Sequence, residues 1–270
     1  MSRVVLQFVI NSSILLLFWL PQALACHLRF GVETHFPPHI IKTETGWSGL
    51  SVELAQRLAR EIDCEITLIE GPWLRAMRQI DKGELDLVSH LTFSAARQQH
   101  FAFIGPHHLE QIFLVADPAA IPVLSSVEQL ANEIDLTAIA MLDGAYYGED
   151  FARLQAQPGL KRQLVYINNN LDKIALLNAG RVNAVLEDLS VLRYWQKQDT
   201  NTSIRYQPLL AIHKGPVYFG FNKKTLSPAQ LQQLNSAWQK LHTNGELASI
   251  VARYQQADNE LNLPAPQPHL

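Results

Sequence analysis

The most informative stretch of the sequence reads Thr92-Phe-Ser-Ala-Ala-Arg97 and continues, after three residues, as Phe101-Ala-Phe-Ile-Gly-Pro106. Ser94 is a residue type that commonly caps the N-terminus of a helix, which places Arg97 in the first turn. A carboxylate bound there would gain bidentate hydrogen bonds from the guanidinium group and the positive end of the helix. The stretch therefore predicts a short helix whose arginine either binds an anion or lies in solvent.

Short apolar runs alternate with helical patterns on both sides of this stretch. Leu50, Leu54, Leu58 and Ile62 recur every four residues, which is typical of one face of an amphipathic helix. Because strands that alternate with such helices form parallel βαβ units, the pattern predicts an α/β fold. The predicted strands are 28–32, 65–69, 85–89, 112–116, 137–141, 164–167, 182–186, 204–207 and 215–221. The predicted helices are 48–62, 73–81, 95–99, 126–132, 148–156, 170–178, 189–197 and 227–243.

Two such α/β sets, with a final strand and helices left over, predict a chain of two lobes joined by two hinge crossovers. Each lobe is expected to be a mainly parallel sheet flanked by helices. Residues 26–112 and 214–257 form the predicted lobe 1, residues 113–213 form lobe 2, and the proline-rich residues 258–270 form a flexible tail. The cleft between two lobes is a common place for a ligand.

Composition excludes several classes of protein. Of the 270 residues, 47% are apolar and 17% charged, a balance that argues against disorder and coiled coil. The formal charge is −3 and no block of basic residues occurs, so a nucleic-acid partner is not expected. Neither a phosphate-binding P-loop nor a G-x-S-x-G nucleophile motif occurs, and no cofactor is implied. We expect the protein to be a monomer.

The N-terminus has the pattern of a secretory signal. Val4 to Leu20 is mostly apolar and follows Arg3, and its dense part is short for a membrane span. Ala23-Leu-Ala25 has the small side chains that signal peptidase accepts. Residues 1–25 are therefore predicted to be a secretory signal peptide that is cleaved from the mature protein. An uncleaved membrane anchor is the alternative.

The two cysteines have three interpretations. Cys26 and Cys64 each open a strand-like run, so they would meet if the two strands lay side by side and parallel. Disulfides persist in secreted proteins, which favours a bond between them. A lipid attached to Cys26 and two free thiols are the alternatives. Ala23 stands where a lipoprotein signal usually has leucine.

Several further segments contain short motifs, and the order and spacing of these motifs along the chain are informative. The segments are Phe36-Pro-Pro38, Gly46 to Ala55, Pro72-Trp-Leu-Arg-Ala76 with Gly83 to Asp86, Gly180 to Asp188, and 244–254. With the opening stretch, they make the chain resemble the amino-acid-type bacterial extracellular solute-binding proteins, family 3, over nearly all of residues 26–256. The resemblance implies a two-lobed, type II periplasmic-binding-protein fold and a receptor that captures a small polar solute for an ABC permease. The sequence Pro72-Trp-Leu-Arg-Ala76 is common in family members that have no neighbouring transporter genes. A membrane sensor that is a separate protein is therefore an alternative partner.

The resemblance also implies a set of ligand-binding residues. Arg97 would bind a ligand carboxylate. Glu33 and Asp188 would bind an ammonium group, although Asp188 also suits a helix N-cap and Glu187 could replace it. The aromatic wall and the polar contacts of the cleft are expected from Phe36, Trp47, Trp73, Ser89, His90 and Thr92. The family often has Gly-Thr where this chain has Gly144-Ala145, and paired tyrosines where it has His107-His108, so the amino-acid ligand is less firmly implied than the fold.

The ten histidines of the chain raise the possibility of a metal site. His107 and His108 are adjacent and would point in different directions on an extended chain, and His35 and His39 flank two prolines. No H-E-x-x-H motif occurs, so no metal site is expected.

Cyclohexadienyl dehydratases share the fold and need an acid in the cleft, a role that Glu33 or Glu187 could take. Turnover of prephenate or arogenate would identify such an enzyme, although a binding protein is the preferred interpretation.

Overall fold

The computed structural model describes residues 26–33, 35–133, 135–198, 205–254, 264–267 and 269–270. The predicted signal peptide, residues 1–25, lies outside these described residues. Among the helices that are described, none combines the length and the apolar character needed to cross a membrane.

The described residues alternate between strands and helices, as the apolar pattern predicts. The strands are β1 (Cys26–Val32), β2 (Ile41–Thr43), β3 (Gly46–Ser48), β4 (Cys64–Glu70), β5 (Leu87–Thr92), β6 (Phe101–Ala116), β7 (Ile139–Leu142), β8 (Leu164–Ile167), β9 (Ala184–Asp188) and β10 (Gln207–Asn222). The helices are α1 (Leu50–Glu61), α2 (Trp73–Lys82), α3 (Ala95–Gln98), α4 (Glu149–Gln155), α5 (Pro158–Lys161), α6 (Leu171–Asn178), α7 (Leu189–Gln198), α8 (Pro228–Thr243) and α9 (Glu246–Tyr254), with a 3₁₀ helix at Val127–Ala131.

Eight strands form a sheet in the order β4-β1-β5-β10-β6-β9-β7-β8. At one end, β4, β1 and β5 are parallel, and at the other end β9, β7 and β8 are parallel. The two central strands, β6 and β10, are antiparallel to each other and to their outer neighbours. The predicted α/β class is confirmed, with an antiparallel pair between the two parallel groups.

The central strands differ from the prediction in length. Segments 112–116 and 215–221 were predicted as separate short strands, but they belong to β6 and β10, which have 16 residues each. The two strands pair from Phe101 opposite Asn222 to Ala116 opposite Gln207, with three shifts of register along the way. Pro106 and Pro208 lie at these irregularities, where a bulge can accommodate a residue that lacks a backbone donor.

Apolar side chains form separate clusters at the two ends of the sheet. One cluster includes Phe30 on β1 and Trp238 on α8. Another includes Phe151 on α4 and Leu186 on β9. This separation supports the division into lobes, and we propose the boundaries stated above.

The two cysteines form a disulfide between β1 and β4. The strands are parallel and in register, so that Cys26 lies opposite Cys64, with 4.5 Å between the Cα atoms. The predicted disulfide is confirmed. A lipid thioether on Cys26 does not fit this bond, because it would need the same sulfur atom.

The end of the chain is docked on the outer edge of β6 in lobe 1. The backbone N–H of Phe103 donates to the His269 carbonyl at 2.9 Å, and the His269 N–H donates back at 3.1 Å. The backbone N–H of Gln267 donates to the Gly105 carbonyl at 3.0 Å. We predicted a flexible tail over 258–270, but its described part makes strand-like contacts that fix it to the sheet edge. The rest of it lies outside the described residues.

Candidate functional site

A cleft lies between the two ends of the sheet and has a volume of about 730 Å³, part of it open to solvent. Small-molecule sites are typically concave clefts of this kind, with apolar walls and a few polar groups. Most of the predicted ligand residues line it because they follow the carboxyl ends of strands, where open α/β sheets place their ligands. Those residues are Glu33, Phe36, Trp73, Ser89, His90, Thr92, Arg97 and Asp188.

Trp47 is the predicted wall residue that lies elsewhere. It is in the short hairpin of β2 and β3 and packs against the apolar core of lobe 1. The ammonium nitrogen of Lys42 lies 5.6 Å from the centre of its ring. Trp47 is not among the residues that line the cleft, and its contacts are those of ordinary packing.

Arg97 has the position that the opening stretch predicts. The Ser94 hydroxyl accepts a hydrogen bond from the Arg97 backbone N–H at 3.2 Å and caps the one-turn helix α3. The guanidinium Nη1 donates to the Thr92 carbonyl at 3.0 Å, which fixes the side chain at the cleft. Burial lowers the pKa of Arg97, yet a guanidinium remains charged at neutral pH. Its other donors are available to a bound anion.

Four carboxyl groups line the same cleft. They belong to Glu33, Glu110, Glu187 and Asp188, and two cations, Arg97 and the buried Lys173, line the cleft with them. The Lys173 ammonium donates to Glu187 at 3.2 Å. Burial raises the pKa of Glu187 despite this neighbouring charge, and one of its oxygens has no hydrogen-bond partner. The cleft therefore contains more acidic groups than basic ones.

Glu110 is the cleft carboxyl group that sequence reasoning missed entirely. It is buried on β6, and no donor of the described residues bonds its carboxyl oxygens. Burial, with the nearby charge of Asp188, raises its pKa well above the ordinary value. Because residues 101–111 were not predicted as a strand, Glu110 could not be assigned to a face of the sheet.

Asp188 is held by protein donors on both of its oxygens. One oxygen accepts from the Gln111 backbone N–H at 2.9 Å, and the other accepts from the Ser190 backbone N–H at 2.7 Å and from the Ser190 hydroxyl. Burial acts to raise its pKa, but the hydrogen bonds to its oxygens and the histidines beside it outweigh burial and bring the pKa to about 2. Its contacts match the helix N-cap alternative, since it precedes α7 directly.

Side chains from the two ends of the sheet meet across the cleft. The Trp73 indole N–H donates to the Gly144 carbonyl at 3.1 Å. The Asn170 amide donates to Glu33 at 2.6 Å. These two hydrogen bonds join residues of the proposed lobe 1 to residues of lobe 2.

Four histidines contact one another beneath the cleft. The rings of His39, His90 and His108 have centroids 4.4 to 5.0 Å apart. His107 was expected to point away from His108, but their Nδ1 atoms lie 2.8 Å apart. The register of β6 and β10 shifts next to these residues, and such a bulge interrupts the alternation of side chains.

Comparison with known proteins agrees with this architecture. The sequence of the L-cystine-binding protein TcyJ of Escherichia coli (strain K12) is 22% identical over 240 residues, which cover 86% of this chain and 83% of that protein. An ancestral arginine-binding protein bound to arginine superposes with a TM-score of 0.73 at 21% identity, covering 85% of this chain and 98% of that one. The ancestral amino acid-binding protein AncCDT-1, a precursor of cyclohexadienyl dehydratase, gives a TM-score of 0.66 at 19% identity, covering 85% and 95%.

These solved structures have the two-lobed fold of periplasmic amino-acid-binding proteins, which confirms the predicted fold class. The sequence model of the bacterial extracellular solute-binding proteins, family 3, matches residues 28–257. That match covers most of the chain, including every residue that lines the cleft. The chain belongs to the bacterial extracellular solute-binding proteins, family 3.

Proposed function

We propose that this chain is a periplasmic receptor that captures an amino acid or a close relative between its lobes and delivers it to an ABC permease. One observation carries the proposal: a single cleft holds Arg97 together with several buried carboxyl groups. A ligand with a carboxylate and an ammonium group complements both. The hydrogen bonds across the cleft support closure around the ligand by a hinge motion.

Glu110 and Glu33 are better placed than Asp188 to receive the ammonium group. Both oxygens of Asp188 already accept hydrogen bonds from the protein. Burial raises the pKa of Glu110 well above its ordinary value, because the carboxylate form is poorly stabilised there. A ligand ammonium would stabilise that carboxylate form by its opposite charge. Glu33, at the other wall, would make a second contact.

The relatives support the amino-acid class of ligand without identifying its side chain. One is named as binding L-cystine and another is bound to arginine. These proteins are only about one fifth identical to this chain, so the pocket that binds the ligand's side chain in them is not assigned to this chain. The receiving partner is a permease in this proposal, and a membrane sensor that recognises the same closed form is the alternative.

A screen followed by one arginine substitution tests the proposal. Thermal shift over amino acids, polyamines and small carboxylates would find the ligand, because a ligand at 100 times its Kd adds about 2.7 kcal/mol to stability. We then expect Arg97→Ala to weaken binding at least about tenfold in calorimetry, since charge-assisted hydrogen bonds are lost. Arg97→Lys should recover only part of the affinity, because an ammonium lacks the planar fork.

The matched control is Arg153→Ala. Arg153 is exposed on α4 and pairs with Asp150 of the same helix, so affinity should not change. Unchanged affinity in Arg97→Ala, or a ligand without any anionic group, would contradict the amino-acid assignment.

A dehydratase is the second candidate function, and Glu33 is the observation that favours it. Burial raises the pKa of this carboxyl group to about 7, so near neutral pH part of the protein has an acid in the cleft that could protonate a leaving hydroxyl. Incubation with prephenate or arogenate separates the two functions. Product formation that disappears in Glu33→Gln would establish the enzyme, and binding without turnover would support the receptor.

A further inference from the structure

We propose that His39, His90 and His108 form a binding site for a late first-row divalent metal ion, with Zn²⁺ as the reference ion. The three residues come from separate parts of the chain: the loop after β1, the end of β5 and the middle of β6. One ring nitrogen of each lies within 4.8 Å of those of the other two. Imidazole nitrogens are ligands that Zn²⁺, Cu²⁺ and Ni²⁺ prefer.

Each of the three rings has one buried nitrogen without a hydrogen-bond partner. These nitrogens are Nδ1 of His39, Nε2 of His90 and Nε2 of His108. A buried polar atom without a partner costs about 1–3 kcal/mol, so three of them in one cluster need an explanation. A metal ion would bind these three nitrogens once each ring holds its hydrogen on the other nitrogen, which for His108 requires Nδ1–H to donate to His107 Nδ1.

The other nitrogen of each ring is bonded, as is typical of metal-binding histidines. His39 Nε2 lies 2.8 Å from the Ser190 hydroxyl, and His90 Nδ1 lies 3.1 Å from the Ser89 hydroxyl. His108 Nδ1 lies 2.8 Å from His107 Nδ1. Every ring is therefore oriented by a neighbour that leaves its second nitrogen free.

The hydrogen bonds of Ser190 fix the tautomer of His39. The Ser190 hydroxyl donates its hydrogen to Asp188, so its oxygen accepts from His39 Nε2–H. A neutral His39 then has its lone pair on Nδ1, the nitrogen without a partner.

The backbone of His90 is shaped to bring its ring into the cluster. Its φ angle is +56°, in the left-handed region that residues other than glycine seldom adopt. Such strain is concentrated at functional sites, where surrounding contacts maintain it. The Phe36 ring packs on both His39 and His90, so the proposed site lies directly behind a wall of the cleft.

Coordination requires a small rearrangement of the rings. A tetrahedral Zn²⁺ ion with Zn–N bonds of about 2.0–2.1 Å places its ligand nitrogens about 3.3 Å apart. The three rings must therefore draw together by up to about 1.5 Å. The rings of His39 and His108 are stacked at an interplanar angle of 12°, so one of them must also rotate to point its lone pair at the ion. Water or a ligand group from the cleft would fill the fourth position.

Zn²⁺ titration of the chelator-treated chain, without a histidine tag, tests the site. We expect the wild type to bind a single Zn²⁺ ion and His90→Gln to bind it at least about tenfold more weakly. Co²⁺ should give the visible absorption of a tetrahedral site in the wild type and not in this variant. Ser190→Ala should weaken Zn²⁺ binding about tenfold, because His39 loses the partner that orients it.

His100→Gln is the matched control, since His100 is exposed and outside the cluster, and it should bind Zn²⁺ as the wild type does. Thermal melting in chelator separates loss of the site from loss of the fold: Zn²⁺ should raise the Tm of the wild type and of His100→Gln, and not that of a folded His90→Gln protein. If His90→Gln fails to fold, His108→Gln replaces it in the same comparison. No detectable Zn²⁺ binding by the wild type, or equal binding by the folded cluster variant, would overturn the proposal.

Discussion

Glu33 is a cleft residue whose ionisation changes near neutral pH. Burial raises its pKa to about 7, the charge of Lys173 opposes this shift, and the charge of Glu187 reinforces it. The folded protein therefore keeps a proton on Glu33 between pH 4.5 and 7, whereas the unfolded chain releases it. By linkage, this group contributes stability below pH 4.5 that is lost as the pH rises through 7.

Glu33→Gln should remove that dependence. Its amide oxygen can still accept from Asn170, and it has no charge to bury. We expect the variant to match the wild type near pH 4.5 and to exceed its free energy of unfolding above pH 7. The gain is at most about 3 kcal/mol, since the side chain is partly exposed and solvent screens part of the effect. Urea unfolding at several pH values measures this difference.

Glu44→Gln is the control, because Glu44 is an exposed carboxyl group on the turn between β2 and β3, away from the cleft. A difference between Glu33→Gln and the wild type that stayed constant from pH 4.5 to pH 8 would contradict the assigned pKa.

Sequence reasoning found the cleft residues that follow strand ends and missed those inside elements. Thr92 and Arg97 were predictable because a strand end and a helix cap fix where such side chains lie. Glu110 and Lys173 lie within β6 and α6, so only the tertiary packing shows that they face the cleft. The contact between His39 and His90 likewise depends on how separate loops fold together.

At the scale of elements, the two long central strands show where sequence patterns stop being informative. Helix α1 was predicted almost to its ends because its apolar face repeats regularly. Strands β6 and β10 contain prolines and polar residues, and each crosses from one lobe to the other. Apolar residues therefore do not alternate regularly along their whole length. Their mutual pairing keeps them continuous, and pairing partners cannot be identified from one strand's own sequence.

The disulfide between β1 and β4 should contribute strongly to stability. It joins residues 38 apart, and the chain-entropy model gives about 4 kcal/mol for a loop of that size. We expect the double variant Cys26→Ser, Cys64→Ser to unfold at a lower urea concentration by a corresponding amount. The intact mass of the oxidised wild type should be about two mass units below the reduced value.

A reducing agent provides the control for this substitution. It should destabilise the wild type toward the level of the double variant and leave the double variant unchanged. Equal stability of the oxidised wild type and the double variant would show that strain or residual structure cancels the contribution of the loop.

At the scale of the whole molecule, closure of the cleft depends on a close approach at Gly144. Its carbonyl accepts from Trp73, and a Cβ atom added there would overlap the Leu74 side chain. Its φ angle of +73° is also one that favours glycine. The residue at this turn must therefore be small for the two lobes to meet as they do here.

Gly144→Ala should weaken binding of the ligand found in the screen by about tenfold in calorimetry. The substitution disfavours the closed arrangement, and apparent affinity falls with the population that can close. Gly180→Ala is the matched control: its φ angle is +63°, and nothing lies within 4 Å of the added Cβ atom. Both variants should lose about 1 kcal/mol of stability to backbone strain. Equal ligand affinity in the two variants would contradict the role of Gly144.

The pairing of β6 with β10 has a mechanical consequence. Two adjacent antiparallel strands form a ribbon whose hydrogen bonds resist sliding within the plane, whereas bending out of the plane leaves those bonds in place. Because both strands that connect the lobes run through this ribbon, bending of the ribbon would change the separation of the lobes. The distance between one spectroscopic label on each lobe would then measure this bending.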